Sequence, residues 1–142
     1  LHLSIRRQRQ MCIRDRSLSE KYDINLPYIF DRKEEKSHGE GGNIVGEVKD
    51  KKVLILDDVL TAGTALKQSM EIISNAGGKI TGCMVALDRE EIFDQITARD
   101  KISKEFDLEI TSIARISQLI DFFDLSGRKD EAKVIRNYLS NL

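Results

Sequence analysis

Residues 53–65 read Val53-Leu54-Ile55-Leu56-Asp57-Asp58-Val59-Leu60-Thr61-Ala62-Gly63-Thr64-Ala65, or VLILDDVLTAGTA. Four consecutive apolar residues suit a parallel strand buried on both faces. Leu66, Met70 and Ile73 then recur at i, i+4 and i+7, which predicts a helix, and Gly77-Gly78 stops it. Asp57–Ala65 is therefore expected to be the loop beyond the carboxyl end of a strand, where open α/β sheets bind ligands. Gly63 would let the backbone approach a ligand closely, and Thr61 and Thr64 offer hydroxyls. The N–H groups and dipole at the helix start suit a phosphate. Two adjacent aspartates would repel that phosphate. They fit the vicinal hydroxyls of a ribose, or waters on a divalent cation. The loop is predicted to hold a sugar phosphate.

Working outward, Ser17–Tyr22 reads as the end of a helix, and Ile24–Phe30 and Ile44–Val48 as two short strands, loosely paired or at an edge. Between them Asp31–Gly42, DRKEEKSHGEGG, has seven charged residues, three glycines and no apolar residue. It cannot enter a core, and a loop of that length is often a functional lid. Downstream, Ile80–Leu87 and Ile110–Ala114 read as buried strands. Asp88-Arg89-Glu90-Glu91 has capping-box spacing, with its helix expected to run to about Phe106. Ser117 is expected to cap a short helix through Phe123. Arg128–Leu142 is predicted as an amphipathic helix with Ile135, Tyr138, Leu139 and Leu142 on its apolar side. Alternating strands and helices predict an α/β fold with a parallel, doubly wound sheet flanked by helices.

Composition narrows the class. The 142 residues carry 23 basic and 24 acidic side chains, a net charge of −1, which speaks against a non-specific nucleic-acid binder. No apolar run approaches the roughly 18 residues of a membrane span. Cys12 and Cys83 are too far apart for a CxxC metal site. The charge is uneven: residues 1–16 hold five arginines and one aspartate, which leaves 18 basic and 23 acidic groups in the rest. No apolar stretch there makes a secretory signal. Met11-Cys12-Ile13-Arg14-Asp15-Arg16 reads as the translation of a transposon-end sequencing adapter. Residues 1–16 are therefore expected to be a non-native leader rather than a disordered basic tail, with the domain proper at 17–142.

VLILDDVLTAGTA resembles the motif by which type I phosphoribosyltransferases bind 5-phosphoribosyl 1-diphosphate (PRPP). With PYIFDRKEEKSHGEGGNIVG before it and ALDREE after it, the chain resembles the orotate phosphoribosyltransferases of bacteria. The likeness is specific from about Ser17 to Glu91 and looser beyond. It implies transfer of ribosyl phosphate from PRPP to orotate with Mg²⁺, in UMP biosynthesis, by a cytoplasmic homodimer whose lid reaches the neighbouring site. It also implies site residues. Arg32, Lys33, Lys36 and His38 would meet the pyrophosphate, with Lys36 as the main electrostatic catalyst and His38 assisting. Asp57, Asp58, Val59, Leu60, Thr61, Ala62, Gly63, Thr64 and Ala65 would hold the ribose 5-phosphate, with Asp58 in the catalytic set. Arg89 and Thr61 would meet orotate. The metal would be held mostly by substrate oxygens, so no direct protein ligand is named. Such enzymes have a further N-terminal segment and a second pyrophosphate turn. Nothing here resembles them, so the chain is expected to be a partial, C-terminal portion.

Other readings are set beside this one. A two-component receiver would carry a phosphoacceptor aspartate at the end of a later strand, and Ile110–Ala114 has none. A PRPP-sensing regulator or a purine-type transferase shares the sugar-phosphate motif but not the lid sequence. Cys83 is expected to fill the core, and Phe122 and Phe123 to pack inside it.

Overall fold

The computed structural model describes residues 14–31 and 44–140, in two units, Leu1–Glu47 and Val48–Leu142. In the first, helix α1 covers residues 14–22. It ends where Asp23 turns left-handed (φ 54°) and the Asp23 and Ile24 amides bond back to the Ser19 and Leu18 carbonyls. The boundary expected after Arg16 falls inside this helix, where Arg16 pairs with Glu20 one turn on. The guanidinium of Arg14 lies 5.8 Å over the Tyr28 ring. The strand expected over Ile24–Phe30 shrinks to β1 (Phe30–Asp31), antiparallel to β2 (Ile44–Val45), with Phe30 opposite Val45. Pro27 has no N–H to give a ladder. Gly46 (φ 110°) ends β2 early, where any Cβ would stand 2.7 Å from Ile29 Cγ2. Arg32, Lys33, Lys36 and His38 lie outside the described residues.

The second unit runs β3 (Lys52–Leu60), α2 (Thr64–Asn75), β4 (Lys79–Asp88), β5 (Ile92–Phe93), β6 (Ile96–Thr97), α3 (Ala98–Phe106), β7 (Ile110–Arg115), α4 (Ile116–Leu125) and α5 (Lys129–Leu139). Strands β3, β4 and β7 form a parallel sheet in the order β3-β4-β7. This is the predicted α/β class. One face supplies the core: Ile55, Cys83, Val85 and Ile110 are buried, as are Leu66, Met70 and Ile73 of α2 and Ile102 of α3. Side chains alternate along a strand, so Leu54 and Leu56 point the other way. There they are exposed with Met84 and Ile113. The expected burial of VLIL on both faces is corrected accordingly.

Helix α2 ends as Gly77-Gly78 predict. The Gly78 amide bonds to the Ile73 carbonyl and the Gly77 amide to Ser74, and Gly77 is left-handed at φ 78°. That is a Schellman stop. The helix expected from Asp88 does not start there. Ile92 pairs with Thr97 and Phe93 with Ile96 in a hairpin whose turn residues Asp94 and Gln95 both have positive φ, and α3 begins only at Ala98. Its cap is Thr97, whose side chain accepts from the Asp100 amide at 3.1 Å. Helix α4 likewise starts one residue before Ser117. Gln118 Oε1 accepts from the Arg115 amide, and Glu90 Oε2 from the Ser117 amide, each at 2.9 Å. A carboxylate from a distant segment thus does the capping expected of the serine hydroxyl. Phe122 is 56 % exposed rather than core. On α5, Ala132 is fully buried, and Ile135 and Leu139 are half-buried beside it.

Candidate active site

The carboxyl ends of β3 and β4 meet in register, Leu60 opposite Asp88, and the Arg89 amide donates to the Leu60 carbonyl at 3.1 Å. This single ladder step places the residues that follow, Thr61 and Arg89, at one edge of the unit. The expected loop over Asp57–Ala65 is corrected in part. Asp57, Asp58, Val59 and Leu60 belong to β3, because pairing with β4 continues through them, and Thr64 already opens α2. Only Thr61–Gly63 form the bend.

The two aspartates differ. Asp57 Oδ1 accepts from the Asp58 amide, and Asp58 Oδ1 from the Val59 amide, both at 2.9 Å. Asp57 is half-buried and Asp58 exposed. Burial first, and then the Asp57 carboxylate, push the Cys83 thiol up to about 12. The thiol therefore stays protonated at neutral pH and acts as the predicted core filler. Leu60 is 2 % exposed and its carbonyl is taken, so its side chain is not available to a ligand. Thr61 is half-buried, and Ala62, Thr64 and Ala65 are exposed.

Gly63 also has a packing role. It is left-handed (φ 79°), and a Cβ there would stand 2.1 Å from Ile102 Cδ1. The missing side chain makes room for Ile102 of α3. Gly63→Ala is expected to lower stability by about 2–3 kcal/mol, from αL strain plus overpacking. Urea unfolding checks it, and an unchanged midpoint would refute the packing account. Gly63 caps α2 without a side-chain bond, and no acidic residue stands in the first turn. The helix head thus presents amide donors and positive dipole to an anion. An open groove of about 650 Å³ runs beside Ala62 and Thr64, with Lys67, Asp94 and Lys101 in its walls. It does not take in Asp57, Asp58 or Arg89.

Arg89 is held firmly. Its Nη2 pairs with Glu91 Oε1 at 3.0 Å, and its guanidinium lies 4.8 Å over the Tyr138 ring. Sequence reasoning missed Glu91 and Tyr138. Glu91 had been read as part of a helix cap, and Tyr138 lies 49 positions from Arg89.

A parallel sheet that ends in paired acids and an uncapped helix head defines a class. The model described as a phosphoribosyl transferase domain matches residues 15–117, and the chain belongs to that family. Its relatives are more particular. The orotate phosphoribosyltransferase of Pseudoalteromonas translucida is 39 % identical, over 81 % of this chain and 54 % of that protein. The orotate phosphoribosyltransferase of Kluyveromyces lactis is 42 % identical, over 80 % and 53 %. The chain spans about half the length of the curated relatives it matches. A crystal structure of orotate phosphoribosyltransferase from Francisella tularensis superposes with a TM-score of 0.69 at 32 % identity, covering 87 % of this chain and 61 % of that one. Leishmania donovani UMP synthase shares the fold, with a TM-score of 0.66 at 21 % identity over 89 % of this chain and 26 % of that one.

Proposed function

We propose that the chain serves orotate phosphoribosyl transfer: the bond from ribose C1 to the diphosphate of PRPP breaks, a bond from C1 to orotate N1 forms, and the N1 proton leaves. One observation carries the reading. The run from Asp57 to Thr64 sets two carboxylates and an uncapped helix head at one strand end, beside Arg89. The names of the relatives support it. In this reading the amides and hydroxyls from Thr61 to Ala65 hold the 5′-phosphate. Asp57 and Asp58 hold the ribose hydroxyls, and Arg89 with Thr61 receives orotate, whose carboxylate suits a guanidinium. Arg32, Lys33, Lys36 and His38 neutralise the departing diphosphate.

The two carboxylates at the end of β3, Asp57 and Asp58, are compatible with a divalent cation carried by the substrate. When bound, Mg²⁺ would neutralise diphosphate charge, held mostly by substrate oxygens. A homodimer and a cytoplasmic setting belong to the same proposal. No helix among the described residues is long and apolar enough to cross a membrane.

The test is pyrophosphate release from PRPP and Mg²⁺, with orotate or with a purine base. Asp58→Asn is expected to raise the KM for PRPP about tenfold, the scale of a lost charge-assisted hydrogen bond. Arg89→Ala should do the same for orotate and leave PRPP alone. Release with a purine base instead would assign a purine-type transferase. PRPP binding without turnover on any base would assign a sensor.

A further inference from the structure

At the end of β4 and just beyond it, three acidic residues each reach a different helix. Asp88 faces Arg99 of α3 across 3.5 Å. Glu90 receives the Ser117 amide at the head of α4. Glu91 accepts from the hydroxyl of Tyr138 on α5 at 3.2 Å and pairs with Arg89, which lies over that same tyrosine ring. Arg89 is therefore gripped twice, at one edge by a carboxylate and on one face by an aromatic ring. The Glu91 side chain is only 7 % exposed, whereas that of Arg89 is 30 % exposed. A guanidinium has five N–H donors in a rigid plane, so fixing one edge and one face orients the donors that remain.

We propose that Glu91 and Tyr138 are positioning residues that aim Arg89 at the carboxylate of the acceptor base. The last helix, α5, thereby sets the preference for an acidic pyrimidine over a neutral one. The inference rests on the orotate reading above and deepens it. A free arginine at a strand end has many rotamers to lose when it binds, and preorganisation removes that cost before the ligand arrives. Glu91 also carries a charge that competes with the ligand for Arg89. The two effects predict opposite signs, so the geometry can be tested.

The full chain is titrated calorimetrically with orotate, with uracil, which lacks the carboxylate, and with PRPP. Tyr138→Leu, which removes ring and hydroxyl, is expected to cut the preference for orotate over uracil about tenfold, the scale of one cation–π contact and one hydrogen bond to a charged group. Tyr138→Phe keeps the ring and should lose about threefold. Glu91→Gln should fall between them. Uracil and PRPP affinities should not move, which separates aiming from general loosening of the fold. Should Tyr138→Leu fail to fold, Tyr138→Phe and Glu91→Gln carry the test. Unchanged preference in these variants, or tighter orotate binding by Glu91→Gln, would overturn the inference and leave the orotate reading standing. A wild-type chain that binds orotate no better than uracil would overturn the orotate reading itself.

Discussion

Asp88→Ala is expected to destabilise the chain by about 3–5 kcal/mol, the cost of stripping one partner from a buried ion pair. The carboxylate is 1 % exposed and does two jobs. Oδ1 accepts from the Glu90 amide at 2.9 Å, which shapes the exit from β4. Among the described residues Oδ2 finds no hydrogen-bond donor and faces the charge of Arg99 Nη1 at 3.5 Å. Without Asp88 the mostly buried Arg99 keeps only the more exposed Asp100 at 3.4 Å. Asp88→Asn keeps the acceptor for Glu90 and loses the charge, so it should cost less. Urea unfolding of the three proteins measures both. A loss under about 1 kcal/mol for the alanine variant would mean that Arg99 finds compensation in water and Asp100.

Lys36→Ala is expected to lower kcat for the proposed reaction by about 10²–10³, the usual effect of losing one transition-state donor. The charge on the leaving diphosphate grows as its bond to C1 breaks, so a lysine beside it acts mainly in the transition state. Orotate affinity should change little. A variant that loses orotate binding but keeps its turnover would assign Lys36 to the base instead.

How much could be read in advance depended on how local each cause was. Strands β3, β4 and β7 and helix α2 follow from apolar runs, a 3.6-residue spacing and a double-glycine stop, all of which act within a few residues. The hairpin at Ile92–Thr97 was missed because its turn is Asp94-Gln95. Neither residue has glycine's freedom at positive φ, so the usual hairpin signal is absent. The start of α4 was misplaced because its cap comes from Glu90, 27 positions earlier. That the acidic pair and the head of α2 fall at one strand end was legible. That Asp57 and Asp58 stay within β3 was not, since it depends on pairing with β4. The two partners of Arg89 illustrate the same limit. Glu91 is two residues away but was read as a helix cap, and Tyr138 comes from the far end of the chain. The packing role of Gly63 was not legible because the atom that excludes a Cβ belongs to Ile102, again distant in sequence.

The strand partners of the three-stranded sheet lie 27 or 28 positions apart, from Lys52 with Lys79 to Asp88 with Arg115. Such pairing cannot begin as a zipper from a tight turn. Each strand must wait for its crossover segment to close a long loop, and the entropy of that closure comes before any ladder bond repays it. The locally specified pieces, α2 with its double-glycine stop and α3 with its threonine cap, can form early and shorten the search. The sheet should assemble late and cooperatively, at millisecond or slower rates rather than in microseconds. Until it closes, the apolar strands of the nascent chain are open to one another and to neighbouring chains.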